Sequence, residues 1–301
     1  MPTKVALITG GASGMGLAVA TALSKRTHED WSIHLLDLNA SAGKTATTTL
    51  KNTHFHQTNV TDYTSLVSAF EATYNTSQRL DFVYANAGIV ERDNFYQQHN
   101  LDGPPPPPPN QLSVDINLKA VINTSYLALH YFRKTIAKHG RQNVDPVLVM
   151  TASCGGLYPS EFCPMYSASK AGVVQFNRAI TVAYHHEGVR TFATCPGTIN
   201  TGLLSQEEWK SFPVEYFTPM ETLVDGVVRL VDGGEMVDAK GVKKSKEENW
   251  GLTVEVNGNN LYFSNGPEFC DENMKEMMKN TSMAKQLARI EGGKQNGTNG
   301  A

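Results

Sequence analysis

"KVALITGGASGMG" (residues 4–16) decides the fold. Its first part is an apolar run of strand length, and four glycines from Gly10 to Gly16 then break it. An apolar-periodic segment from Leu17 to Lys25 follows and reads as a helix. Strand, glycine turn and helix are the entry unit of a βαβ fold. Small residues at Gly10, Ser13, Gly14 and Gly16, with Met15 between, let the backbone approach a pyrophosphate. Amides at the helix N-terminus face its charge. A tight turn without a ligand has the same look, so the remaining chain must decide.

Working outward, the pattern repeats. "SIHLLDL" (32–38), "THFHQTNV" (53–60), "LDFVYANAG" (80–88), "DPVLVMTAS" (145–153), "VRTFATCPG" (189–197) and "GLTVEVNG" (251–258) read as strands. Helices are expected over 42–51, 62–75, 112–139, 165–187 and 218–232. This alternation predicts an α/β, Rossmann-like doubly wound parallel sheet of about seven strands with helices on both faces. Residues 1–270 are expected to form one dinucleotide-binding domain, with 271–301 as a C-terminal extension and flexible tail. The last twenty residues, ending "EGGKQNGTNGA", read as a frayed tail. "DGPPPPPPN" (102–110) must be extended, because consecutive prolines cannot donate helical hydrogen bonds. Its prolines, 104–109, serve either as a stiff surface loop or as a ligand for a proline-binding module.

Composition narrows the function classes. Forty per cent hydrophobic and 18% charged residues suit a globular chain. A formal charge of -3 gives no electrostatic reason to expect nucleic acid or an anionic membrane as partner. No apolar run reaches membrane-spanning length, so no insertion is expected. Cys154, Cys163, Cys195 and Cys270 form no C-x-x-C pair, which suits free thiols in a reducing, cytoplasmic compartment. The sequons at Asn75, Asn123, Asn280 and Asn296 would then go unused. No H-E-x-x-H or Cys/His cluster is present. His54, His56, His185 and His186 read as surface or packing residues, and no metal is expected. No G-x-S-x-G elbow argues for a hydrolase.

Asp37 ends the second predicted strand. A carboxylate there can accept both adenosine ribose hydroxyls and repels a 2′-phosphate, which points to NAD(H) rather than its phosphorylated form. Capping of the next turn is the alternative reading.

Here the chain resembles the short-chain dehydrogenase/reductase family. The resemblance rests on "TGGASGMG" (9–16), "NVTD" (59–62), "NAG" (86–88), "YSASK" (166–170) and "PGTINT" (196–201), in that order. It implies cofactor contacts at Val60, Asp62, Asn86, Ala87, Gly88, Pro196, Gly197, Ile199 and Thr201. It also implies a catalytic set of Asn117, Ser153, Tyr166 and Lys170. "VDGVVRLVDGGE" (224–235) and "GLTVEVNGNNLYF" (251–263) are similar, more loosely, to the 15-hydroxyprostaglandin dehydrogenase-like branch.

Tyr166 and Lys170 stand at i and i+4, on one helical face. A free phenol titrates near 10, so it is a poor base at neutral pH; a nearby ammonium and the positive nicotinamide of NAD+ are both expected to lower that value. The family mechanism has Tyr166 take the alcohol proton while hydride passes to the nicotinamide. Ser153 then binds the substrate oxygen, Lys170 also grips the nicotinamide ribose, and Asn117 positions a water.

Pocket walls are expected from 154–165 and 202–217, with Ser153, Leu157, Phe162, Trp209 and Phe212 as substrate contacts. Tyr158, Met165, Leu203 and Phe217 add to an apolar, aromatic environment without an arginine or lysine cluster. That environment suits a bulky hydrophobic secondary alcohol or its ketone, lipid-like or from secondary metabolism. Coupled isomerisation or cyclisation, and NAD-responsive binding without catalysis, are the competing classes. The resemblance implies a homodimer or homotetramer built on the 112–139 and 165–187 helices.

Overall fold

The computed structural model describes residues 3–296. Contacts gather the chain into one unit ending at Ser264 and a second beginning at Asn265.

The first unit opens with β1 (Lys4–Thr9), whose residues beyond Lys4 are all buried, and α1 (Gly14–Ser24). Next come β2 (Trp31–Asp37), α2 (Ala40–Thr49), β3 (Thr53–Gln57), α3 (Tyr63–Ser77) and β4 (Phe82–Ala85). A long loop leads to a short helix, α4 (Leu112–Val114), one π turn (Asp115–Lys119) and α5 (Ala120–His139). The order continues with β5 (Val147–Thr151), α6 (Pro164–His186), β6 (Arg190–Pro196), α7 (Gln206–Trp209) and α8 (Met220–Asp232). A small antiparallel ribbon pairs β7 (Met236–Val237) with β8 (Lys243–Lys244), and β9 (Thr253–Asn257) and β10 (Asn260–Phe263) close the unit.

The main sheet has the order β10-β9-β6-β5-β4-β1-β2-β3. All pairings are parallel except β9 with β10. The expected architecture is therefore present, with eight strands in place of about seven. The added strand, β10, folds back through a turn in which Gly258 takes φ +54°. The Gly258-Asn259 pair between Asn257 and Asn260 is a two-residue hairpin signal, and the expected strand 251–258 stops at it.

Successive strand residues face opposite layers. Val5 and Leu7 join a core beneath α3, α5 and α6, while Ala6 and Ile8 join one beneath α1, α2 and α8. The helix expected over 112–139 is not continuous: the π turn at Asp115–Lys119 interrupts it. In the second unit, Asp271 caps α9 (Glu272–Lys279) by accepting from Met274 N. Within the twenty residues expected to fray, Met283–Asn296 form α10, where Ala284, Lys285, Gln286, Leu287 and Arg289 favour helix. Residues 297–301 lie outside the described residues.

Candidate active site

The chain leaves β1 outward to β2 and β3, then crosses back to β4, so its direction reverses between β1 and β4. Open α/β sheets bind ligands beyond the carboxyl ends of the strands at such a reversal. A cavity of about 660 Å³ lies there.

At one end the cavity is lined by Gly10, Ser13, Gly14 and Met15 from the first turn, with Asp37, Val60, Asn86, Ala87, Gly88, Pro196, Gly197, Ile199 and Thr201. Gly10 has φ +62°, and a Cβ there would meet Ala87 Cα at 2.9 Å. A Cβ on Gly16 would stand 2.3 Å from Gly10 O, so Gly16 belongs behind the wall and allows the turn to close. Ser13 is the N-cap of α1 with no capping hydrogen bond from its side chain, which leaves its hydroxyl uncommitted at a helix N-terminus. No acidic side chain sits in that first turn. An anionic phosphate group fits this cradle.

Asp37 serves both readings. Its Oδ2 accepts from Ala12 N at 3.1 Å and its Oδ1 from Asn39 N at 3.0 Å, and it also lines the cavity. Each oxygen keeps a further lone pair for a hydroxyl donor. Asp62 is placed differently from the expectation: it caps α3 by accepting from Thr64 N at 2.9 Å and stays outside the lining. Asn86 chiefly stitches strand ends together. Its Nδ2 donates to Thr9 O at 3.2 Å, and its Oδ1 accepts from Thr151 Oγ1 at 3.1 Å.

At the other end Ser153, Tyr166 and Lys170 converge. Pro164 starts α6, where a missing N–H costs nothing, and this sets Tyr166 in the first turn. Lys170 is buried and donates from Nζ to Thr151 O at 2.8 Å, with Nζ 5.8 Å from the Tyr166 ring centroid. Desolvation lowers its pKa to about 8. Burial raises the Tyr166 phenol above its usual value, while a hydrogen bond with Ser153 pulls the other way. Among the protein's own groups, desolvation of the phenolate outweighs that hydrogen bond, so they raise the phenol rather than lower it. Ser153 Oγ also accepts from Gly155 N at 3.0 Å, so it is turn former and site residue together.

Asn117 lies within the π turn, fully buried and behind the cavity lining. Its Oδ1 accepts from Ile89 N at 2.9 Å, and its Nδ2 donates to Ile89 O at 2.8 Å. Its side chain thus ties the loop after β4 to the π turn, and its Nδ2 also donates to Ser169 Oγ of α6 at 3.3 Å; the π turn displaces backbone carbonyls from the regular helical ladder. A Cβ on Gly88 would meet Asn117 Oδ1 at 3.2 Å and Lys170 Nζ at 3.4 Å, so these groups are neighbours.

The remaining wall is apolar. Trp209 and Phe212 line it as expected, with Ile89, Val90, Tyr158, Pro159, Leu203 and Leu204. Two expected contacts fall elsewhere. Leu157 packs against the core on the α6 side, and Phe162 is 68% exposed. The 154–163 turns put Cys154, Tyr158 and Cys163 on the lining instead, Tyr158 staying exposed with its OH donating to Glu255 Oε2 at 3.1 Å. Met165 and Phe217 are also outside the lining, the latter packed edge-on to Trp209 at 5.7 Å. Ile89 and Val90 were missed; their place directly after "NAG" was the available signal. Among the described residues no group of His, Cys, Asp and Glu could hold a metal ion.

Comparison with known proteins agrees with this geometry. A family model described as short chain dehydrogenase matches residues 4–211. The short-chain dehydrogenase/reductase prx7 of Penicillium rubens is 44% identical over 286 residues, covering 92% of this chain and 99% of that protein. Human 15-hydroxyprostaglandin dehydrogenase [NAD(+)] is 32% identical over 213 residues, covering 68% and 71%. In structure, a 3-ketoacyl-(acyl-carrier-protein) reductase from Brucella melitensis, complexed with NADH, superposes with a TM-score of 0.66. It is 20% identical, with 85% of this chain and 97% of that one covered, and so speaks for the fold.

Proposed function

The chain belongs to the short-chain dehydrogenase family, and we propose that it interconverts a bulky hydrophobic secondary alcohol and its ketone using NAD(H). The observation that carries this reading is the convergence of Ser153, Tyr166 and Lys170 on an apolar cavity that begins in a glycine cradle.

Gly10, Ser13, Gly14 and Met15 would hold the pyrophosphate, Asp37 the adenosine ribose, and Lys170 the nicotinamide ribose. A bound nicotinamide supplies the hydride acceptor or donor. Tyr166 exchanges the proton with the substrate oxygen, and Ser153 donates a hydrogen bond to that oxygen as charge develops. Lys170, held by Thr151 O, biases Tyr166 toward phenolate. Asn117 fixes the loop and the π turn from which a water would link Lys170 to solvent. Tyr158, Leu203, Trp209 and Phe212 would embrace the hydrophobic body of the substrate.

The reading includes NAD over NADP, because Asp37 faces the cavity and would repel a 2′-phosphate. It includes a homodimer on α5 and α6, where Ile122, Tyr126 and Val182 are exposed. It also includes a cytoplasmic setting, since all four cysteines are free thiols.

The test is a panel of hydrophobic secondary alcohols with NAD+ or NADP+, followed by the absorbance of the reduced nicotinamide. Turnover with NAD+ is expected for wild type, with Asp37→Ser shifting preference toward NADP+. No turnover with any alcohol, or equal use of both cofactors by wild type, would overturn the corresponding part.

A further inference from the structure

Two consecutive residues of the loop after β4 reach in opposite directions. Glu91 Oε2 accepts from the backbone N–H of Tyr166 at 2.5 Å. Its other oxygen, Oε1, is buried without a hydrogen-bond partner, so the carboxylate is committed to this one contact. Arg92 donates from Nη2 to Leu203 O at 2.9 Å and forms an ion pair with Glu208. Leu203, Trp209 and Phe212 from that segment line the cavity, and Glu208 belongs to α7 between them. The α7 segment is itself locally built. Ser205 and Glu208 form a capping box, and Trp209 Nε1 donates to Thr201 O at 2.9 Å. Farther along the same loop, Tyr96 OH donates to Glu161 O at 2.9 Å. The loop therefore touches the catalytic helix and two cavity walls.

We infer that Glu91 and Arg92 form a two-ended strap in which Glu91 positions Tyr166 and Arg92 holds the α7 segment over the substrate cavity. Both are positioning residues. Glu91 acts on the amide of the proton-transferring residue itself, where a displacement of the first turn moves the phenol relative to Ser153. Arg92 acts on the wall that encloses the substrate body, remote from the proton transfer. The two ends should thus separate kinetically: loosening the wall weakens substrate binding, while loosening the helix start slows chemistry.

The inference rests on the redox reading for its kinetic arm and not for its exchange arm. With a hydrophobic alcohol and NAD+, Arg92→Ala should raise KM for the alcohol about fivefold and leave kcat within about twofold, the ion pair being exposed. Glu91→Ala should lower kcat about tenfold and change KM for the alcohol little. Glu91→Gln should recover most of that loss, because an amide oxygen accepts the same N–H. In amide hydrogen exchange without substrate, Arg92→Ala should deprotect 202–212 and Glu91→Ala should deprotect 164–168, each sparing the other segment. Matching losses in both segments, or unchanged exchange in both variants, would overturn the strap. So would KM and kcat moving together in each variant, or a Glu91→Gln as slow as Glu91→Ala. A wild type that oxidises no alcohol would sink the redox reading instead, and the exchange arm would still decide this one.

Discussion

Tyr166 keeps its proton more tightly than a free phenol because it is buried, and Lys170 releases its proton more readily for the same reason. The phenol therefore stays protonated at neutral pH, and little phenolate is present to act as a base. Alcohol oxidation, which needs the phenolate, should accelerate about tenfold per pH unit on the acid limb of its profile, up to the apparent pKa in the ternary complex. Tyr166→Phe should remove that limb together with turnover while leaving NAD+ binding nearly intact. Rates in both directions across the alkaline range check this, and a pH-independent oxidation would contradict it. Lys170 adds a stability prediction. Its folded pKa, about 8, is below the unfolded value, so charging it in the fold is costly. The cost is complete below pH 8 and fades as pH rises toward the unfolded pKa, where the unfolded state binds the extra proton. Lys170→Met should therefore stabilise the protein at pH 7 by about 1–3 kcal/mol, net of the donor lost to Thr151 O. The gain should shrink in alkaline urea melts, and activity should be lost. The identity and spacing of these side chains were legible in the sequence. The sign of the phenol shift was not, since it depends on burial supplied by residues distant in the chain.

At the scale of elements, the glycine turn depends on contacts that no local pattern displays. Gly16 lies against Gly10 O and the Asn86 amide, so strand-to-helix closure and the β1–β4 stitch share one space. Gly16→Ala must push α1 away from the sheet, and about 1–3 kcal/mol of stability should be lost. Dinucleotide affinity should fall in parallel, because Ser13 and the amides of the α1 N-terminus move with the helix. Urea midpoints and cofactor titration on the same variant check both. Elements with a strong period were legible: β1, β2, α3, α6 and α8 fall close to their expected bounds. The π turn was not: it carries Asn117, whose partner Ile89 comes from outside the helix and leaves no mark on the helical period. α10 escaped notice for the opposite reason, since its helical tendency is local and carries no core pattern.

For the molecule as a whole, alternation of strands and helices was enough to give a parallel sheet with both faces covered, and hence the cleft at the reversal of strand order. Which side chains border that cleft was less legible: Cys154, Tyr158 and Cys163 line it, while Leu157 and Phe162 do not. One-residue phase along an irregular loop decides this, and apolar composition is blind to phase. The same distinction between composition and placement bears on the proline run. Residues 104–109 are all exposed and carry no regular secondary structure, so none of them belongs to the buried core of the unit. The cavity lining includes none of them. Replacing the six prolines with a Gly/Ser segment of equal length should leave turnover unchanged and lower stability by no more than about 2–6 kcal/mol, about 0.4–1 kcal/mol for each proline. That loss arises from a freer unfolded chain and should appear as a lower midpoint at an unchanged m-value. A larger loss, or a change in KM, would mean that the run braces the 89–101 segment from which Glu91, Arg92 and Tyr96 reach the site.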